Sequence, residues 1–211
     1  MYFRRQLKLL VRDLEFYCVE YPSRDNKYKF ARWVFSRLCS GLLYSRDFRL
    51  NILVRLSLSR LIFVSSVAES LIFYVYGSTI SSNAILDCRL RFCHARSLVI
   101  GPRVKMTGEF AYIFNNVTIG KLIPGSPKQS GDMPHFLSSV VFGVGSAVYG
   151  PLVATHDIVF ASNSFCSLKE IKQDSTVWGT NNVKYGVFFN RRDHVDKPHI
   201  FTPPKWAQIK S

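Results

Sequence analysis

Three histidines in the middle of the chain, His94, His135 and His156, are the side chains best suited to moving a proton at neutral pH, because an imidazole titrates at about 6.5. Such a base takes the proton of a hydroxyl as the oxygen attacks an electrophilic carbon. His94 stands in CHARSLVIG, a few residues before Val99-Ile100-Gly101. His135 follows Pro134 at the end of a polar, Gly/Pro-rich segment, KLIPGSPKQSGDMPH. His156 falls among short apolar units and reads as a surface residue. Cys93 reads as a packed thiol, because nothing nearby except His94 would lower its pKa. Glycines at 101, 108, 120, 143, 145 and 150 punctuate short β-prone runs and tolerate the sharp corners that a prism of short strands requires.

The elements that must carry these groups follow from spacing. Small or apolar residues recur every sixth position at Phe142, Val148, Ala154, Phe160 and Cys166. A second set, Ser146, Leu152, Ile158 and Ser164, keeps the same beat. A period of six is neither the two of a flat strand nor the 3.6 of a helix. It predicts a parallel β-helix in which each unit forms one side and three units complete a turn. The register is looser between Met106 and Ile113, where one extra residue interrupts it. Residues 1–76 instead predict a helical region, with Leu7, Leu10, Val11 and Leu14 on one face and Phe30, Trp33, Val34 and Leu38 on another. Pro22 with Asp25-Asn26, and then Ser45-Arg46-Asp47, break these helices. Residues 77–184 form the coil, with a projecting loop at 121–135, and 185–211 form a tail that includes Arg191-Arg192 and His199.

Within the coil, CHARSLVIGPRV, IFNNVTIGK, Gly131-Asp132-Met133-Pro134 and Phe142-Gly143-Val144-Gly145-Ser146 resemble, in order and spacing, the serine acetyltransferase group of hexapeptide-repeat acyltransferases. The resemblance implies a mainly β fold, a left-handed parallel β-helix with an N-terminal α-helical region. It also implies acetyl-CoA as co-substrate, His94 as general base, and a site between subunits of a homotrimer. Gly120-Lys121, Gly143-Val144 and Ala161-Ser162 match the positions that line acetyl-CoA. His135 is one place past the loop proline and is a second catalytic candidate near acceptor or thioester. Thr79 and Asp87 are the nearest candidates to orient His94. The chain departs from enzymes of cysteine synthesis at Cys93 and Thr79, where they carry Asp, and lacks their Arg-His pair before the loop proline. A valine, Val159, replaces a lysine common before the last cofactor coil, which shifts weight to Lys121, Lys128 or Arg191-Arg192. These departures resemble the capsule and O-antigen branch, which acetylates sugar hydroxyls, so the expected acceptor is a saccharide or polysaccharide. Serine is the alternative acceptor, and a non-catalytic basic glycan-binding scaffold is the alternative from another class.

Composition bounds the remainder. A formal charge of +14 over 211 residues implies an anionic partner or surface without choosing among them, and no nucleic-acid-binding signature accompanies it. Five scattered cysteines without a CxxC pair support neither a metal site nor a disulfide framework, and predict reduced thiols in a cytoplasmic protein. Within the apolar stretch 50–76, Arg55, Arg60 and Glu69 leave no uncharged run long enough to span a bilayer. A buried helix pair is expected there, with peripheral membrane association as the alternative.

Overall fold

The computed structural model describes residues 2–18, 22, 24–121, 133–171 and 174–185. Most of the expected loop, including Lys128 and Gly131-Asp132, and the tail with Arg191-Arg192 and His199 lie outside the described residues. Four helices open the chain: α1 (Tyr2–Tyr17), α2 (Lys27–Tyr44), α3 (Arg46–Ser57) and α4 (Ile62–Tyr76). Their ends follow local chemistry. Asn26 accepts from the Lys29 N–H to cap α2, and Ser45 accepts from the Phe48 N–H to cap α3. At the end of α4, Gly77 takes the left-handed conformation (φ 59°) that stops a helix.

A coil of short parallel strands follows. Face A holds β1 (Thr79–Ile80), β4 (Val99–Ile100), β7 (Thr118–Gly120), β10 (Ala147–Tyr149) and β13 (Phe165–Cys166). Face B holds β2 (Ile85–Leu86), β5 (Lys105–Met106), β8 (His135–Phe136), β11 (Val153–Ala154) and β14 (Glu170–Ile171). Face C holds β3 (Arg89–Cys93), β6 (Phe110–Phe114), β9 (Val140–Phe142), β12 (Ile158–Phe160) and β15 (Ser175–Trp178). The antiparallel strand β16 (Asn182–Tyr185) closes the last turn against β15. The six-residue beat is the inward position of successive faces. Phe142, Val148, Ala154, Phe160 and Cys166 are all at most 1 % exposed. Phe142 stacks on Phe160 with centroids 5.2 Å apart, and Phe136 meets both edge-on. The extra residue between Met106 and Ile113 is absorbed where Gly108 lies so close to the Ser138 carbonyl that a Cβ would sit 2.0 Å from its oxygen.

The first turn of the coil has no turn before it, so its edge must find partners elsewhere. Helices α1 and α3 supply them. Arg55 makes a bidentate ion pair with Asp13 (2.7 and 2.8 Å) and donates to the Leu86 and Cys88 carbonyls. Asp13 also accepts from the Leu90 N–H at 2.7 Å, and Asn51 donates to the Leu90 carbonyl at 3.1 Å. The Tyr17 hydroxyl accepts from the Phe92 N–H and donates to the Phe92 carbonyl. Burial pushes the Asp13 carboxyl above its ordinary value, while Arg55 draws it back.

Two expectations need correction. The buried stripe of α1 is Gln6, Leu9, Leu10, Asp13, Leu14 and Tyr17, not the face through Leu7, because Asp13 is drawn inward by Arg55. The apolar stretch 50–76 does form two helices, but only α3 is well covered; much of α4 faces water.

Arg55→Met should lower unfolding free energy by about 3–5 kcal/mol, because it leaves the Asp13 carboxyl buried without its counter-ion and the Leu86 and Cys88 carbonyls without their donor. Urea denaturation followed by circular dichroism measures this, and an unchanged midpoint would show that the pair does not hold the cap.

Candidate active site at the edges of the coil

His94 lies at the corner between faces C and A. From Phe92 to Ile100, both inward-facing, this corner is two residues longer than the one beneath it, Ile113 to Ile119. The regular corner residue two places before each face-A strand is left-handed: Ser97 (φ 53°), Asn116 (58°), Gly145 (69°) and Asn163 (56°). His94, at φ 54°, is an additional left-handed residue in the inserted pair. That conformation costs a non-glycine residue about 1–2 kcal/mol. Asp47 offsets the cost. Its carboxylate accepts from the N–H groups of His94 (3.0 Å) and Ala95 (3.1 Å), and hydrogen bonds to a charged group contribute about 1.5–3 kcal/mol each. Asp47 stands in the first turn of α3, where the helix N-terminus favours negative charge. The insertion is thus pinned by its backbone, while His94 itself is exposed and Ala95 is buried.

Thr79 and Asp87 do not orient the imidazole. Thr79 bonds through its backbone to Leu98, and Asp87 pairs with Arg5 at 2.7 Å on the corner between faces B and C. Among the described residues no side chain is hydrogen-bonded to the His94 ring. Asp47, which sequence reading passed over as part of a helix break, is the residue that holds this segment. Its only sequence signal was an acidic residue two places after a helix-capping serine.

The six cofactor positions fall on two edges rather than one. Gly143-Val144 and Ala161-Ser162 share the C/A corner with His94. There the backbone is cross-linked turn to turn, Gly145 to Asn115 (3.0 Å) and Asn163 to Val144 (2.7 Å). Gly120 and Lys121 lie across face A, at its corner with face B. His135 belongs with them. Expected on the loop, it instead opens β8, because its main chain completes the ladder with Leu152 (N–H to carbonyl, 2.8 Å). Its Nε2 is 3.2 Å from Thr107 Oγ1. Partial burial, and then the positive charge of Lys105, hold its pKa below the ordinary imidazole value. Both effects favour the uncharged imidazole over the imidazolium.

The other candidates fit bland roles. Burial pushes the Cys93 thiol up to about 11, consistent with packing rather than nucleophilic chemistry. His156 is exposed, with Nδ1 3.8 Å from Asp174. Among the described residues, no three His, Cys, Asp or Glu side chains converge as a metal site.

No protein-family model matches the chain, and no curated protein matches it. Solved structures do. The serine acetyltransferase of Neisseria gonorrhoeae is similar over 75 % of this chain and 61 % of its own length, with 16 % identity and a TM-score of 0.57. The same enzyme in complex with serine aligns over 86 % of this chain and 69 % of its own, with 20 % identity and a TM-score of 0.57. The serine acetyltransferase of Brucella abortus strain S19 aligns over 86 % and 67 %, with 17 % identity and a TM-score of 0.51. The chain thus spans about three fifths of the gonococcal enzyme in the first of these alignments. At such identities the likeness establishes architecture: a helical region leading into a left-handed parallel β-helix.

Proposed function

We propose that this protein is an acetyl-CoA-dependent O-acetyltransferase in which His94 is the general base. The observation that carries the reading is the strained insertion at the C/A corner, which presents His94 and is pinned by Asp47. Strained backbone conformations that the surrounding structure holds in place cluster at functional sites. In the reaction, His94 takes the proton of the acceptor hydroxyl as its oxygen bonds to the thioester carbonyl carbon. The carbon–sulfur bond then breaks, and the imidazolium returns the proton to the departing thiolate. No acyl-enzyme is needed. Gly143, Val144, Ala161 and Ser162 would hold acetyl-CoA on the His94 edge, with Gly120 and Lys121 on the opposite edge of face A.

The division of candidates between two corners supports a site shared by neighbouring copies. One protomer presents His94, Gly143-Val144 and Ala161-Ser162; the other presents Gly120-Lys121 and His135. A homotrimer packed side by side would bring one edge against the other.

The acceptor is the finer question, and two chemistries compete. Neutral Cys93 and Thr79 favour a sugar hydroxyl, because a polar site built for an amino acid needs charges for its ammonium and carboxylate. Against this, the solved neighbours are named serine acetyltransferases, one of them in complex with serine. The balance of support moves to serine, with a sugar hydroxyl second. The basic-scaffold reading loses its main support, since the extra residue near Met106 is accommodated by Gly108 without disrupting the coil.

Four outcomes follow. His94→Ala should lower kcat by about 10²–10⁴-fold with the fold intact. Asp47→Ala should lower kcat by about tenfold or more with little change in KM for acetyl-CoA, because it acts through placement of the base; equal activity in either variant contradicts the assignment. Mixing inactive His94→Ala with a His135→Ala variant should restore turnover if the site is shared, whereas purely additive residual rates would place the whole site within one chain. With acetyl-CoA and equal amounts of serine and capsular oligosaccharide, product mass spectrometry should show O-acetylserine in excess; acetylated sugar alone would reinstate the saccharide acceptor.

A further inference from the structure

Helix α4 has its amphipathicity inverted. The stripe turned to the protein is Ser65, Ala68, Ile72 and Tyr76, mostly small. The opposite arc leaves Ile62 87 %, Phe63 81 %, Phe73 57 %, Tyr74 81 % and Val75 55 % exposed. Its one charged side chain, Glu69, is turned to the coil, where it accepts from the Ser82 N–H at 2.6 Å. Only Ser66 and Ser70 interrupt this exposed arc, and a protein surface rarely leaves so many large apolar side chains together without a partner. The neighbouring end of α2 extends it, with Leu43 70 % and Tyr44 72 % exposed.

Arginines frame this face at both ends. Arg60 precedes the helix by two residues and lies 4.0 Å from the centroid of the Tyr2 ring. Arg46 reaches the other end, donating to the Val75 carbonyl at 3.4 Å and stacking on Tyr76 at 5.4 Å. Arg49, one turn further along α3, donates to the Leu42 and Leu43 carbonyls and so ties the α2 corner to the same surface. Exposed phenylalanine and tyrosine rings, with arginines just beyond each end of the helix, suit the boundary of headgroups and acyl chains, where an aromatic ring can sit with one side apolar and the other wet. It does not cross the bilayer: among the described residues no helix is long and apolar enough to span one.

We propose that the exposed face of α4, with the adjoining end of α2, docks on an anionic lipid bilayer. Charge selects this occupant over a second copy of the chain. With 28 Lys and Arg against 14 Asp and Glu, two copies brought face to face would oppose like charges and set Arg46 and Arg60 against their own images. An anionic leaflet instead meets those arginines with phosphates while the apolar side chains enter the interface. Docking is independent of the acetyl transfer proposed above, since α4 contributes none of the groups at the coil corners.

The test is flotation of the full chain with vesicles of phosphatidylcholine alone, and of phosphatidylcholine with about 30 % phosphatidylserine. The intact protein should float only with the anionic vesicles and lose binding as salt rises past the point where the Debye length falls below about 8 Å. Phe63→Ser combined with Tyr74→Ser removes two exposed rings. It should weaken vesicle binding by about tenfold or more, with the melting temperature and solution oligomeric state unchanged. Three outcomes would overturn the proposal: failure of the intact protein to float, unchanged binding by the double variant, or a shift of the double variant to a smaller oligomer without loss of vesicle binding. The last would assign the face to a second copy.

Discussion

The ion pair between Asp13 and Arg55 is the interaction on which the rest of the molecule depends. A β-helix can satisfy each turn only with the turns above and below it, so its first edge is incomplete by construction. Arg55 and Asp13, buried at 2 % and 0 % side-chain exposure, complete it by bonding the Leu86 and Cys88 carbonyls and the Leu90 N–H. Isolated, such a pair would be costly to bury; here every oxygen and guanidinium nitrogen at issue meets backbone or partner. Asn51 and Tyr17 continue the line to Leu90 and Phe92, and Asp47 carries it on to His94 and Ala95. The helical region is thus a side-chain cap, and its last contact reaches the proposed base.

That continuity explains how an exposed residue can be held for chemistry. His94 is on a two-residue insertion in a conformation unfavourable to its type, and an unsupported insertion would sample many geometries. The carboxylate of Asp47 acts on the main chain and leaves the ring available. Across face A, partial burial and Lys105 lower the pKa of His135, on the edge that also carries Gly120 and Lys121. Were the site shared as proposed, these two sets of residues on opposite edges of one face would make each chain a donor to one neighbour and an acceptor from another.

Much of the architecture was legible in the sequence because the coil is periodic. From Phe142 to Cys166 each sixth residue lies inward, and the order of motifs put His94 just ahead of the coil unit at Val99-Ile100-Gly101. What escaped were features without period. Asp13 and Asp47 look like ordinary helix-surface acids, and only their pairing across more than forty residues, with Arg55 and with the His94 segment, gives them their roles. His135 was read as loop because the intervening insertion hides the register; Phe136, stacked in face B and 1 % exposed, sets it. The apolar content of residues 62–76 suggested burial, yet the stripe facing the core is the least apolar part of α4. Hydrophobicity gave the composition of that helix without its direction.

The central claim is direct acetyl transfer with His94 as base, and rapid-mixing kinetics of thiol release from acetyl-CoA addresses it most directly. The account predicts that thiol appears only when a hydroxyl acceptor is present, without an initial burst and without acetylated protein in quenched samples. A burst of thiol matched by acetylation of Cys93 would contradict it by making the thiol a nucleophile, and no acceptor-dependent thiol release with any hydroxyl acceptor would remove the enzymatic reading altogether.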